Sequence, residues 1–138
     1  MNIQEVHNHL TSHNIKPSVQ RVAIMQYLME NRTHPTIDQI FNDLLPGMPT
    51  LSKTTVYNTL KLFYDKKAVI AITIDEKNVR YDAEVTDHAH FKCKNCGAIH
   101  DLPIENKDLL AVKSNTNFLI EETQVYFLGI CENCISAN

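Results

Sequence analysis

"LSKTTVYNTLKLFYDKKAVIAITIDEKNVRYD", residues 51–82, changes its hydrophobic period halfway along and so decides the architecture. Behind Ser52, a good N-cap residue, Val56, Leu60 and Phe63 recur at helical spacing and face inward. From Val69 the pattern turns β-rich: "VIAITID" and "NVRYD", joined by the polar turn "DEKN", read as a hairpin. Upstream, Ile3, Val6 and Leu10 mark a short amphipathic helix over 3–13 ending near Asn14. "IKPSVQRVAIMQYLMEN" gives a second helix from about 19 to 31, capped by Ser18, with Val22, Met25, Leu28 and Met29 at helical spacing. In "THPTIDQIFNDLLP" the capping box Thr36-x-x-Gln39 opens a third helix, Ile37 to Leu45, which stops before Pro46. Helices followed by a two-stranded hairpin are the order of a winged helix-turn-helix, in which the helix before the hairpin enters the major groove.

A chain of 138 residues, 43% apolar and 21% charged, can bury a core in one or two small domains. No run of about 18 apolar residues exists to span a membrane, and "MNIQEVHNHLTSHN" is too polar for a signal peptide, so a cytoplasmic location is expected. The net charge of -3 hides an asymmetry. Residues 1–81 carry nine Lys/Arg against seven Asp/Glu, net +2, and residues 82–138 carry four against nine, net -5. Any nucleic-acid surface therefore belongs to the first part, and the second suits cations.

After Asp82 the pattern changes to short strands ("HAHFKC", "GAIHDL"), a helical stretch from about Glu105 to Thr116, and the β-rich "FLIEETQVYFLGIC". "DAEVTD", with few apolar anchors, is the natural linker. Cys93-x-x-Cys96-Gly97 and Cys131-x-x-Cys134 pair their thiols at a spacing that lets each pair grip one tetrahedral ion from a tight turn. In a reducing compartment such pairs point to metal ahead of disulfides. With 34 residues between the pairs, the site staples a small domain and does not organise a finger. Four thiolates leave no open position, so such a site is structural, against the alternatives of two unrelated buried pairs or a Cys-x-x-Cys redox pair.

If "HAHFKC" is extended, His88, His90 and Lys92 project from one face and Ala89, Phe91 and Cys93 from the other. The two imidazoles can chelate one ion that needs carboxylates from elsewhere, and Asp82, at the end of the wing strand, and Asp101, on the neighbouring strand, are available. His34 lies in the loop before the third helix, where spacing alone does not separate a ligand from a plain loop histidine. His7, His9 and His13 read as solvated, and His100 alternates away from Asp101. Nitrogen and oxygen donors without sulfur suit Fe(II), Mn(II) or Zn(II).

The succession of "QR" at 20–21, "HPT" at 34–36, "TTVYNTLKLF" at 54–63, "RYD" at 80–82, "DHAHFKCKNCG" at 87–97 and "CENC" at 131–134 resembles the ferric uptake regulator family of dimeric bacterial metal-dependent repressors, over nearly the whole chain. The resemblance implies an α+β chain. An N-terminal winged helix-turn-helix DNA-binding domain occupies 1–82, a linker 83–87, and a C-terminal α/β dimerisation and metal-binding domain with a four-cysteine zinc site 88–138. It implies structural zinc on Cys93, Cys96, Cys131 and Cys134, and a regulatory Fe(2+) or Mn(2+) on His34, Asp82, His88, His90 and Asp101. In the family's iron-responsive branch the positions matching Asp82 and Asp101 are commonly glutamates, and in its peroxide-sensing branch aspartates, as here. Asp87, Ala89 and Thr123 stand where many iron regulators have ligands for an additional metal. Both features point to the peroxide-sensing branch, where the ferrous protein oxidises a ligand histidine, here His34 or His88.

The expected partners are a palindromic double-stranded operator and a second copy of the chain, with no membrane and no organic substrate. Lys53, Thr55 and Tyr57 are base-region or phosphate candidates, and Lys16, Arg21 and Lys61 phosphate candidates. Lys61 reads equally well as a solvated helix lysine. The alternatives are an iron- or other metal-homeostasis repressor of the same family and, more distantly, a small non-haem iron enzyme, which would leave the four helices without a role. Two departures stand out. The family's "TPQR" is "SVQR" here, with the proline at Pro17, and Lys67 stands where glycine usually ends the helix before the wing. A lysine held there in a left-handed conformation costs on the order of 1 kcal/mol.

Overall fold

The computed structural model describes residues 2–86, 88–106, 108 and 117–137. The chain forms two compact units, Met1–Val85 and Thr86–Asn138.

In the first unit, α1 (Ile3–Ser12), α2 (Val19–Glu30), α3 (Ile37–Leu44), a 3-10 turn (Leu45–Gly47) and α4 (Lys53–Asp65) precede the antiparallel pair β1 (Ile70–Ile72) and β2 (Arg80–Asp82). Each helix starts where a side chain satisfies its free amides. Asn2 Oδ1 accepts the Gln4 N–H, Ser18 Oγ that of Arg21, and Ser52 Oγ that of Thr55. Thr36 and Gln39 complete the capping box in both directions. The α-helix at 37 ends one residue earlier than expected, because Leu45, Pro46 and Gly47 tighten into the 3-10 turn. Val6, Leu10, Met25, Ile40, Leu60 and Phe63 are fully buried in one core. Ile3, expected on the inward face of α1, is 57% exposed.

The C-termini of α1 and α4 end alike. Asn14 (φ 59) and Lys67 (φ 62) are left-handed, and the next residues, Ile15 and Ala68, return their amides to Leu10 O and Phe63 O. Asn14 N–H to Thr11 O and Lys67 N–H to Tyr64 O complete two Schellman closures. Lys67 thus takes the strained conformation usually left to glycine, and the turn into the wing does not differ. Here the expectation of solvated α1 histidines needs correcting. His9 Nε2 lies 2.9 Å from Ala68 O, and His13 Nδ1 lies 3.2 Å from Lys66 O. Both rings bind backbone at the end of α4, a contact no spacing within α1 could announce.

The second unit holds a three-stranded sheet in the order β4 (Ile99–Pro103), β3 (His88–Cys93), β5 (Tyr126–Gly129), followed by α5 (Glu132–Ser136). β3 runs antiparallel to β4 and parallel to β5. "FLIEETQVYFLGIC" yields only the four-residue β5 among the described residues, and the helix expected from about Glu105 to Thr116 falls almost wholly outside them. Gly129 lies against Phe91, where an added Cβ would sit 3.3 Å from the ring. Among the described residues no helix is long and apolar enough to cross a membrane.

Candidate metal centres and the helix face for nucleic acid

The thiol cluster forms from two turns of the second unit. Gly97, at φ 79, lets the chain reverse after Cys96, with Gly97 N–H on Cys93 O and Cys93 N–H on Ala98 O. Cys131 caps the short α5, which carries Cys134 one turn on. The four Sγ atoms lie within 4.8 Å of one another, with Cys93 and Cys134 at 3.7 Å and Cys96 and Cys131 at 3.8 Å. A zinc tetrahedron with Zn–S bonds of about 2.3 Å has edges of about 3.8 Å, whereas a disulfide needs about 2.05 Å. The donors therefore fit a zinc ion, and all four cysteines are free thiols.

The Cys131 and Cys96 amides point at the Cys93 sulfur and draw its thiol down to about 6. Cys134 moves the other way, to about 11. An Asn95 side-chain bond pulls it down, but bonds with the neighbouring thiols and burial outweigh that. One thiol is thus prepared as thiolate while another holds its proton, and a cation entering the cluster displaces that proton.

The nitrogen and oxygen donors fall into two sets, one in each unit. In the second unit the register places Asp101 directly across from His90, and the alternation puts His88 on the same face. His88 Nε2 and His90 Nε2 lie 3.4 and 3.3 Å from the same oxygen, Asp101 Oδ1, with ring centroids 4.5 Å apart. The Thr86 carbonyl 2.8 Å from His88 Nδ1 can only accept, so Nδ1 carries a proton and Nε2 is the nitrogen turned toward Asp101. Two imidazole nitrogens converging on one carboxylate oxygen form a donor set that a single cation could take up. His100, as expected, is elsewhere. It pairs with Phe91 in the register, and the two rings are 6.5 Å apart.

In the first unit His34 and Asp82 are buried, with His34 Nε2 3.5 Å from Asp82 Oδ2. Asp82 Oδ1 accepts the Glu84 N–H and lies 3.5 Å from Arg32 Nη1. His34 adopts φ 57, so its loop reverses sharply enough to turn the imidazole inward toward β2. Sequence reasoning missed Arg32, and it missed that Arg80 donates from Nη1 to His34 O at 3.1 Å. The second had a signal, since Arg80 and Asp82 alternate onto one face of β2.

Along α4, Lys53, Tyr57 and Lys61 recur every four residues and are all exposed, Tyr57 by 52%. Lys53 also pairs with Asp38 at 3.1 Å, and Lys61 with Asp65 at 3.1 Å, both on the surface where such pairs contribute little. Thr55 is half-buried, its hydroxyl 3.0 Å from Ser52 Oγ. Lys16 is exposed, and its carbonyl accepts from Arg21 Nη1.

Comparison with known proteins follows the same outline. The Ferric uptake regulator family matches residues 12–128. The peroxide-responsive repressor PerR of Staphylococcus aureus is 34% identical over 122 residues, covering 87% of this chain and 82% of that protein. The structure of PerR from Streptococcus pyogenes, a study of peroxide sensing and gene regulation, is 28% identical with a TM-score of 0.53, covering 96% of this chain and 92% of that one. Helicobacter pylori Fur, a structure with three functional metal-binding sites, shares the fold at a TM-score of 0.75 and 20% identity, covering 98% and 95%.

Proposed function

The chain belongs to the ferric uptake regulator family, and from that premise we propose that it is a metal-dependent repressor that reports peroxide through oxidation of one of its own ligand histidines. Members of this family are metal-responsive transcription regulators and not enzymes, and they act as DNA-binding dimers. The observation that carries the reading is the convergence of the His88 and His90 Nε2 atoms on one Asp101 oxygen. A His/carboxylate pair at His34 and Asp82 in the other unit supports it. The regulatory metal, Fe(2+) or Mn(2+), takes His34, Asp82, His88, His90 and Asp101 as ligands. The four cysteines hold the structural zinc.

The residues divide the work. Residues 1–82 form the DNA-binding domain, 83–87 the linker and 88–138 the dimerisation and metal-binding domain. Drawing donors from both sides of the linker into one coordination shell restricts the angle between the domains and favours the arrangement that matches a palindromic operator. Lys53, Thr55 and Tyr57 face the groove, while Lys16, Arg21 and Lys61 hold phosphates. Exposed Phe118, Leu119, Phe127 and Leu128 in the second unit support a second copy of the chain as its partner. The protein works in the cytoplasm, where the operator is.

Bound iron(II) supplies one-electron chemistry toward peroxide. Asp82 and Asp101 would keep the surrounding donors hard and anionic, and His34 and His88 are the ligand rings the family resemblance marks for oxidation. With Nδ1 held by the Thr86 carbonyl, Nε2 of His88 is the atom that would ligate the metal, and oxidation of the ring would weaken that bond.

The test is a binding series on an operator selected from random duplexes in the presence of Mn(II). Affinity should rise at least tenfold with Mn(II) or Fe(II), and equal affinity without metal overturns the repressor mechanism. After stoichiometric peroxide, mass spectrometry of the ferrous protein should place one added oxygen on the peptide holding His34 or His88. Metal-controlled binding with intact histidines makes the chain a metal-homeostasis repressor instead.

A further inference from the structure

Strand β2 holds the His34 loop at three successive positions. Arg80 Nη1 donates to His34 O at 3.1 Å, Tyr81 N donates to Pro35 O at 3.0 Å, and the Asp82 carboxylate lies 3.5 Å from His34 Nε2. His34 is a non-glycine residue at φ 57, a conformation that persists only where its surroundings enforce it. The main-chain carbonyl that such a turn redirects is the group Arg80 takes.

Arg80 is itself held. Nε and Nη2 each lie 3.1 Å from Asp75 Oδ2, with the two side chains 21% and 12% exposed. Asp75 opens the wing turn, where its other oxygen, Oδ1, accepts the Lys77 N–H at 2.9 Å. A chain of bonds therefore runs from the wing turn through Asp75 and Arg80 to the backbone of His34. Only a planar guanidinium can serve both ends at once, since its fork has donors pointing in two directions.

We propose that Arg80, oriented by Asp75, is the positioning residue that sets the imidazole of His34 and ties the wing turn to the regulatory metal. This rests on the reading of His34 as a metal ligand. Arg80 does not touch the ion. It fixes the backbone from which the imidazole projects, so that the ring loses little entropy on binding.

The experiment is Mn(II) titration by calorimetry of the zinc-loaded, full-length protein and of R80M, R80K, D75N, H34A and the double variant R80M/H34A. Amide exchange of Tyr81 is followed in each without manganese. R80M should weaken Mn(II) about tenfold, in the range for groups that orient a ligand, and speed Tyr81 exchange. R80K, which can still reach His34 O but loses the fork, should recover part of the affinity, and D75N should lose less than R80M. Adding R80M to H34A should cost no further affinity, because nothing remains to position. Wild-type affinity in R80M, or a full additional loss in R80M/H34A, overturns the proposal. Wild-type affinity in H34A removes instead the reading of His34 as a ligand. If R80M fails to fold, R80K and D75N carry the same test through Tyr81 exchange and Mn(II) affinity.

Discussion

The first unit buries Phe63, Leu60, Met25 and Leu28 in a continuous apolar core, whereas among the described residues of the second the buried hydrophobic cluster is Cys93, Cys131 and Cys134 with Phe91 packed against them. The first holds itself together with hydrocarbon, at roughly 1.5–3 kcal/mol per large side chain. The second, Thr86–Asn138, is too short to do so easily, and its described apolar residues Phe118, Leu119, Phe127 and Leu128 are exposed. A closed metal site can supply cohesion where the described residues show little apolar core, because the energy of binding the ion is also energy of folding. Hydrocarbon packing thus dominates the first unit, and among the described residues of the second the buried cluster is a set of metal-binding thiols.

The strongest way to break this comparison is to remove a thiolate. Apparent binding energies of structural zinc are about 10–16 kcal/mol at pH 7, so Cys134→Ser should leave the second unit without stable order. Amide exchange on the full-length variant should become fast at Cys93, Lys94 and Gly97, whose amides are bonded around the cluster, and stay slow at Val22, Ile40 and Val56 in the helices. Loss of protection in both sets together would mean that the two units share one folding transition. Unchanged protection at Cys93 would mean that the sheet needs no metal.

The converse change is Phe63→Ala. Phe63 is fully buried at the centre of the first unit, and its truncation should cost about 3–5 kcal/mol. A zinc-release assay across a urea series should find the metal retained at concentrations where the helices of this variant have already melted. Release that tracks helix loss would erase the distinction between the two regions.

The same difference explains what the sequence displays and what it conceals. Helix starts are readable because Ser18, Thr36 and Ser52 cap through side chains to amides only three residues away, and the cysteine site because its two turns each carry a complete pair. The alternation of β3 also separates the thiol face from the imidazole face, and the register with β4 brings Asp101 across from His90. Contacts between distant segments are not readable. His9 and His13 reach the end of α4, more than fifty positions away, and Arg80 reaches His34 across forty-six. Such bonds follow from packing, which composition and period do not encode. The expectation that His34 is a ligand likewise comes from the family pattern "HPT" and not from its spacing.

The smallest effect concerns the two Schellman closures of the first unit, which differ in the residue that occupies the left-handed position. Asn14 tolerates φ near +60° because its short polar side chain can bond locally, while Lys67 has a Cβ and no such compensation. Lys67→Gly should therefore stabilise the first unit by about 1 kcal/mol, less the entropy that glycine returns to the unfolded chain, and Asn14→Gly by no more than a few tenths. Urea midpoints at constant slope measure both. The order matters more than the size. Equal gains would mean that the His13 contact to Lys66 O and the His9 contact to Ala68 O, which brace the end of α4, already absorb the strain at Lys67. The lysine would then be held by α1 and not merely tolerated by the turn.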